Sequence, residues 1–485
     1  MTIKDLKPGV VWNYFHELTQ IPRPSKKEEK IIAYLLDFAK KHNLEVKKDE
    51  AGNVLITKQA TKGKEKLPTV ILQGHVDMVC EKNKGTVHDF DNDPLETIIE
   101  GDWLRANGTT LGADNGIGVA AALAILASDD IEHGKLECLF TVDEETGLTG
   151  AYALGKDFLN GDILINLDTE EEGEIYIGCA GGKITTATFT YKKEDVPQNY
   201  FWFRVEVKGL NGGHSGAEIH KGLGNANKIL NRYLWTLSRK FDLALSEIDG
   251  GNLHNAIARE AHAIAGVPYN KKEDVIIELN TLAPEIEAEL RNIDPNVKLT
   301  VQSTDTPSFI IDKETTYNLL NAIYACPHGV LGMSLEVSGL VETSTNLASI
   351  KMKENNTIVI ITSQRSSTNS LKDDAGNIIN SVFTLAKAEV KHSAGYPGWK
   401  PNHESQVLGV AKDAYEKLFG KEPEIMAIHA GLECGLFLEK YPHLDMISCG
   451  PTIREAHSPA EKVQISSVDK WWIFLLEILK NIPAK

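Results

Sequence analysis

Apolar positions along the chain keep two rhythms. Residues 10–20 carry them at helical spacing, and IPRPS (21–25) breaks that run with prolines. Ser25 followed by Glu28 has the pattern of a capping box, which predicts a second helix to about Lys41. LEVKKDE and NVLITK read as short strands joined at Ala51 and Gly52. PTVILQGHVD is a continuous apolar run, the mark of a strand buried on both faces. LECLFTVDEE and GDILINLD (161–168) are strands too, and NGIGVAAALAILAS (115–128), rich in Ala and Leu, predicts a tightly packed helix. Strands alternating with helices predict an α/β sheet with helices on its faces.

The rhythm changes in KITTATFTYKK and FWFRVEVKG, which alternate apolar and polar residues as half-solvated antiparallel strands do. Helices are predicted near 222–240 and 312–326. The α/β character returns after about residue 390, past HSAGYPGWKP. The expected fold is therefore an α/β domain with a mixed sheet flanked by helices, built from 1–185 and 389–485. An inserted α+β domain over 186–388 interrupts it. WWIFLL (471–476) is too short to span a bilayer and reads as the buried face of a last helix.

With 485 residues, 42% of them hydrophobic and 25% charged, the chain can fill more than one core. Its 51 basic and 68 acidic side chains give a net charge of −17. That balance disfavours nucleic acid and anionic membrane as partners. The six cysteines form no C-x-x-C pair, and MTIKDLKPG has no apolar signal core. Both point to reduced, buried thiols in a cytoplasmic protein. There is no G-x-x-x-x-G-K-[ST], and LGADNGIG lacks G-x-G-x-x-G spacing, so the P-loop and dinucleotide readings fall away.

Five candidate metal ligands lie where strands or turns end, the place where open α/β sheets collect ligands. In GHVD a period of two puts His75 and Asp77 on one side of an extended chain, so Asp77 can orient a metal-binding His75. Asp114, in a glycine-rich turn before a helix, could bridge two cations or simply cap that helix. Glu144 and Glu145 end a buried strand and are costly there unless paired or metal-bound. Being adjacent they diverge, so one can hold a metal while the other faces water. An exposed acidic turn is the plain alternative. Asp168 ends ILINLD, and His457 lies in the polar loop REAHSPAEK. Each signal alone is modest; it is their order that is distinctive.

GHVDMVCEKN, LGADNGIG, DEETGLTGA, NGGHSG, YPGWKP and REAHSPAE together resemble the di-zinc aminoacylase and carboxypeptidase family of metallopeptidases. More narrowly, they resemble its aminoacyl-histidine (Xaa-His, carnosinase-like) dipeptidase branch, over essentially the whole chain. The resemblance implies hydrolysis of dipeptides, including β-Ala-His, by water activated between two divalent metals. These would be zinc, with cobalt or manganese able to take the same ligands. It implies that His75 and Asp168 hold one metal, Glu145 and His457 the other, and that Asp114 bridges them. The bond after Asp114 is expected to be cis. Glu144 is implied as general base and Asp77 as support for His75. The inserted domain is implied to be a lid and dimerisation domain of a homodimer. In it His214 of NGGHSG would steady the oxyanion, often from the partner subunit.

Arg365 in TSQRSS is a candidate for the substrate carboxylate, since guanidinium binds carboxylate bidentately. Asn255 in NLHNAIARE is a candidate for the same region, and Gly435 in AGLECG for close approach of substrate backbone. A surface ion pair and a plain turn are the alternatives for the first two. His429 rivals His457 as ligand; the motif favours His457. Two rival functions stay open: a deacylase or carboxypeptidase acting on N-acyl amino acids, and a non-catalytic zinc-binding scaffold.

Overall fold

In the computed structural model, which describes residues 2–484, the buried apolar runs form the centre of an eight-stranded sheet. Val70–His75, Leu136–Thr141 and Ile163–Asn166 are buried at every position. Val70–His75 pairs in parallel with the other two, and Asp445–Ser448 pairs in parallel with Ile163–Asn166. Outside this centre Val54–Lys58 joins Leu136–Thr141 antiparallel, and Glu45–Lys48 joins Val54–Lys58 antiparallel. Glu174–Cys179 and Glu424–Ile428 complete the other side. The sheet is mixed, as the apolar rhythm predicts. Parallel pairing puts the carboxyl ends of the His75, Thr141 and Asn166 strands side by side.

The helix Ala113–Ala127 is buried from Ala113 to Leu126. Only small residues allow this approach. A Cβ on Gly118 would lie 2.8 Å from the Leu167 carbonyl and 2.7 Å from Asn115 Oδ1. We expect Gly118→Ala to cost about 1–3 kcal/mol, read as a lowered melting temperature, because backbone cannot move aside as a flexible side chain can.

The second helix runs Glu29–Lys41, but Ser25 does not cap it. The Ser25 hydroxyl instead donates to Asp77 Oδ2 at 2.8 Å, and Glu28 Oε1 accepts from the N–H groups of Lys26 and Asp143. A buried carboxylate competes for the hydroxyl more strongly than a helix end does. The last helix, Ile465–Asn481, buries Trp471, Trp472, Phe474 and Leu475 and exposes Ile473. All six cysteines are free, and all but Cys80 are buried.

A four-stranded sheet comprises Thr97–Glu100, Trp103–Ala106, Lys462–Gln464 and Ile453–Arg454. The last two form a hairpin, with Ile453 opposite Val463 and Arg454 opposite Lys462. His457 lies in the loop at its tip.

The chain divides into two units. One comprises Met1–Cys179, Trp399–Ala427 and Leu432–Lys485; the other comprises Ala180–Gly398 and Ile428–Gly431. The second unit is built on a nine-stranded antiparallel sheet. In Tyr200–Lys208 the residues Phe203, Val205 and Val207 are buried, while Arg204 and Glu206 are half-exposed, the predicted period of two. Helices Ala226–Lys240, Lys272–Leu290, Lys313–Ala325 and Asn369–Leu385 contribute Leu230, Leu234, Ile286, Leu319, Ile379 and Phe383 to its core. Among the described residues no helix is long and apolar enough to cross a membrane.

Candidate active site

His75 is the last residue of its strand and is almost fully buried. Its Nδ1 lies 3.3 Å from Asp77 Oδ1. Its Nε2 lies 3.0 Å from Asp114 Oδ1 and 3.4 Å from Asp168 Oδ1. Asp114 does not cap its helix; Gly112 occupies that position in the left-handed region. Asp114 and Asn115 are non-helical, the bond between them is cis, and Asn115 Nδ2 donates to the Leu167 carbonyl at 2.6 Å. The Asp114 carboxylate faces His75 through Oδ1. Its second oxygen, Oδ2, lies 3.1 Å from His457 Nε2, and that nitrogen lies 3.0 Å from Glu145 Oε2.

Two clusters thus share one carboxylate. His75 and Asp168 meet Asp114 on one side, and His457 and Glu145 meet it on the other. His457 reaches in from a half-exposed position with φ at 63°, in the left-handed region that non-glycine residues rarely adopt.

Asp77 arranges the turn beside them. Its Oδ1 accepts the Glu144 N–H at 3.0 Å, and its Oδ2 accepts the Glu145 N–H at 3.2 Å. One buried carboxylate so fixes the backbone of both glutamates and the imidazole of His75. The Glu145 side chain goes to His457. Glu144 lies close enough to His75, Asp168, Glu433 and Glu145 to feel their charges.

The charges are strongly perturbed. Burial drives the Glu144 pKa well above the carboxylate range, and Asp168, Glu433 and Glu145 push it the same way against His75. Burial lifts Asp168 to about 7, although His75 pulls it down. Hydrogen bonds to Asp114 and Glu145 raise His457 to about 11. Burial would depress His75, but Asp168, Asp114 and Asp77 outweigh it and hold it well above its ordinary value. Burial would raise Asp77, yet His75, the Glu144 N–H and Ser25 keep it below the usual range.

The donor set suits divalent cations. Imidazoles and carboxylates are hard-to-borderline ligands, and two buried oxygens, Glu145 Oε1 and Asp168 Oδ1, have no hydrogen-bond partner among the described residues. Donor atoms of His75, Asp114 and Glu145 lie within 4.8 Å of one another. Glu28, Asp77 and Asp143 cluster equally closely, but N–H and hydroxyl donors already serve their oxygens.

The remaining sequence candidates separate. Gly435 is buried in the first turn of Glu433–Lys440, its N–H bonded to the Leu432 carbonyl at 3.2 Å. His214, Asn255, Arg365 and His429 belong to the second unit. Arg365 is no surface ion pair: it is buried on its strand, donates to the Tyr396 hydroxyl at 3.0 Å, and has no partner for Nε among the described residues. The Asn255 carbonyl accepts the Ser215 N–H. His429 Nε2 lies 2.7 Å from Ser344 Oγ, and burial, with Arg365, pushes its pKa down to about 3. Within the first unit the geometry brings His457 to Asp114. His214 Nδ1 accepts the N–H groups of Gly216 and Ala217 at 3.3 and 3.1 Å, so its ring proton sits on Nε2. Burial, then Arg365, lowers its pKa and keeps it neutral.

Some residues with a part in the site were not singled out from sequence. Arg23 is buried and donates to the carbonyls of Val76, Asp77 and Gly112. Glu461 accepts four backbone N–H groups leading to Asp114. Glu433, lifted by burial to about 8, accepts from Gln73 and Thr141 beneath the His75 strand. Charged residues inside the quoted motifs and the proline-rich turn were the available signal.

The sequence profile of Peptidase family M20/M25/M40 matches residues 71–481. The chain is 44% identical over 483 residues to the cytosol non-specific dipeptidase of Escherichia coli K12, covering 100% of this chain and 99% of that one. Among solved structures, aminoacylhistidine dipeptidase from Vibrio alginolyticus superposes with a TM-score of 0.93 at 43% identity, over 100% of this chain and 99% of that one. Aminopeptidase PepT from Bacillus cereus shares the fold at a TM-score of 0.61 and 19% identity, over 98% and 99% of the two chains.

Proposed function

This chain belongs to Peptidase family M20/M25/M40, and from that premise we propose that it is a dipeptidase working with two divalent metals, cleaving Xaa-His dipeptides such as β-Ala-His among its substrates. The observation that carries the reading is Asp114, whose two oxygens face two different histidines at 3.0 and 3.1 Å. His75 and Asp168 would hold one ion, His457 and Glu145 the other, and Asp114 both. Zinc suits the ligands, and cobalt or manganese could take its place. Metal held by these residues would supply polarisation of the scissile carbonyl and an acidified attacking water.

The chain's own groups do the rest. Asp77 orients His75 through Nδ1 and holds the Glu144–Glu145 backbone. Glu144, acting as its carboxylate, takes a proton from the attacking water and hands it to the leaving amine. His214, with its proton on Nε2, donates to the developing oxyanion. Arg365 receives the substrate carboxylate, and Asn255 and Gly435 lie on segments that adjoin substrate. The second unit acts as a lid and dimerisation domain of a cytoplasmic homodimer, in which His214 serves its own or the partner subunit's site. The Escherichia coli relative's name and the likeness to the Vibrio enzyme support this reading.

The test is a panel of β-Ala-His, Gly-His, other dipeptides, acetylated amino acids and longer peptides, with metal content measured on the same sample. Cleavage of dipeptides by metal-loaded protein is expected. Cleavage of acylated amino acids alone would replace the dipeptidase by a deacylase.

Metal uptake should release protons. Metal-free His457 and Asp168 hold theirs up to about pH 11 and 7, so a proton must leave before either can ligate. Apparent zinc affinity is expected to rise with pH and to fall as acid restores those protons. Calorimetric titration in two buffers of different ionisation enthalpy measures the proton count.

A further inference from the structure

Ligands from three parts of the chain must meet at one point, and the turn that carries Asp114 is gripped from two sides. On one side the buried Arg23 guanidinium donates to the Gly112 carbonyl of the turn and, at 3.0 Å each, to the carbonyls of Val76 and Asp77. Arg23 therefore ties the turn to the segment that follows His75. On the other side lies the buried carboxylate of Glu461. Its Oε2 accepts the N–H groups of Leu111 at 2.7 Å and Gly112 at 2.8 Å. Its Oε1 accepts those of Ala113 at 2.7 Å and Asp114 at 3.2 Å. Burial pushes the Glu461 carboxyl upward, while the four N–H donors and the helix N-terminus favour its charged form.

Glu461 also closes the hairpin loop that carries His457. Its own N–H bonds to the Ser458 carbonyl at 3.0 Å, and the Ser458 hydroxyl donates to the Glu455 carbonyl at 2.8 Å. The loop includes two left-handed residues, Glu455 and His457, with φ of 55° and 63°. Such a backbone persists only where its surroundings over-determine it. Strand pairing fixes the base of the hairpin, at Arg454 and Lys462, and leaves the tip to other contacts.

We propose that Glu461 is a positioning residue for one of the two metals: it fastens the His457 loop to the Asp114 turn and so sets the His457–Asp114–Glu145 half of the cage. The His75–Asp168 half keeps its geometry through Arg23, whose hydrogen bonds to the Val76, Asp77 and Gly112 carbonyls do not involve Glu461. The proposal rests on the two-metal reading and adds an asymmetry to it. Loss of Glu461 weakens one metal and spares the other.

The experiment is titration of metal-free protein with zinc alone against a chromophoric chelator, for the unaltered chain, Glu461→Gln, Glu461→Asp and His457→Ala. Two zinc ions per unaltered chain are expected. In Glu461→Gln, an amide NH2 faces backbone N–H groups, so one binding step should weaken about 10–100-fold. The other should shift less than about threefold, within the spread of distant effects. Glu461→Asp keeps the charge and should recover part of the loss; it carries the same prediction if the glutamine variant fails to fold. On a His457→Ala background, Glu461→Gln should leave the remaining site unchanged. Equal weakening of both steps, or no change in either, overturns the proposal, since a purely structural glutamate would act on both alike. An unaltered chain that takes up no zinc overturns the two-metal reading itself, a result distinct from either.

Discussion

Asp114→Asn is expected to reduce bound metal from two ions per chain to at most one and to lower turnover by about 10³-fold or more. The argument is stoichiometric. Asp114 presents one oxygen to His75 and the other to His457. Asparagine keeps one oxygen and replaces the other by an NH2 group, which donates and cannot ligate. Whichever histidine faces the amide nitrogen loses its shared partner. Losing one ion's stabilisation of transition-state charge costs several kcal/mol, and about 4 kcal/mol corresponds to about 10³-fold. Metal analysis after dialysis, with kcat on the same sample, measures both quantities. Two tightly held ions in the variant would show that Asp114 does not bridge.

Glu144→Gln should leave both metals in place and still remove most turnover, by about 10²–10⁴-fold, the worth of a positioned base. The backbone N–H of Glu144 bonds to Asp77, and that bond survives the substitution. The side chain that meets His457 belongs to Glu145. Removing the Glu144 carboxylate therefore takes away a proton acceptor and leaves the ligands as they were. KM should change little, because the amide keeps the shape. A variant retaining a tenth or more of the original kcat would move the base elsewhere.

The sequence announces the strands that bear the site because a strand buried on both faces has no choice of pattern. VILQGH, LECLFT and ILIN are apolar runs; His75 ends the first, and Glu145 and Asp168 sit just past the other two. The family motifs supplied the rest of the cage, including the shared carboxylate. What stayed hidden depends on partners far along the chain. Ser25 reads locally as a helix cap and instead serves Asp77. Glu461 reads as a loop acid, and its role needs the Asp114 turn, 350 positions away for the Leu111 N–H. The helix Lys272–Leu290 escaped notice because it contains Pro284 and buries only Val275, Leu282 and Ile286. The strand Val341–Lys353 buries Thr343, Ser344, Thr345 and Asn346, which look like loop residues. The hydroxyls of Thr343, Ser344 and Thr345 and the Asn346 Nδ2 make tertiary hydrogen bonds that periodicity cannot register.

The hairpin that presents His457 has a consequence for biogenesis. His457 meets Asp114 across 343 positions, with the whole of Ala180–Gly398 encoded between them. At about 5–20 residues per second, the ribosome releases that hairpin tens of seconds after the strand that ends in His75. Until then a nascent chain has Asp114 and Glu145 but lacks the imidazole that joins them. On the proposed ligand assignment, a polypeptide that stops short of His457 would lack one metal ligand and, with it, hydrolytic competence.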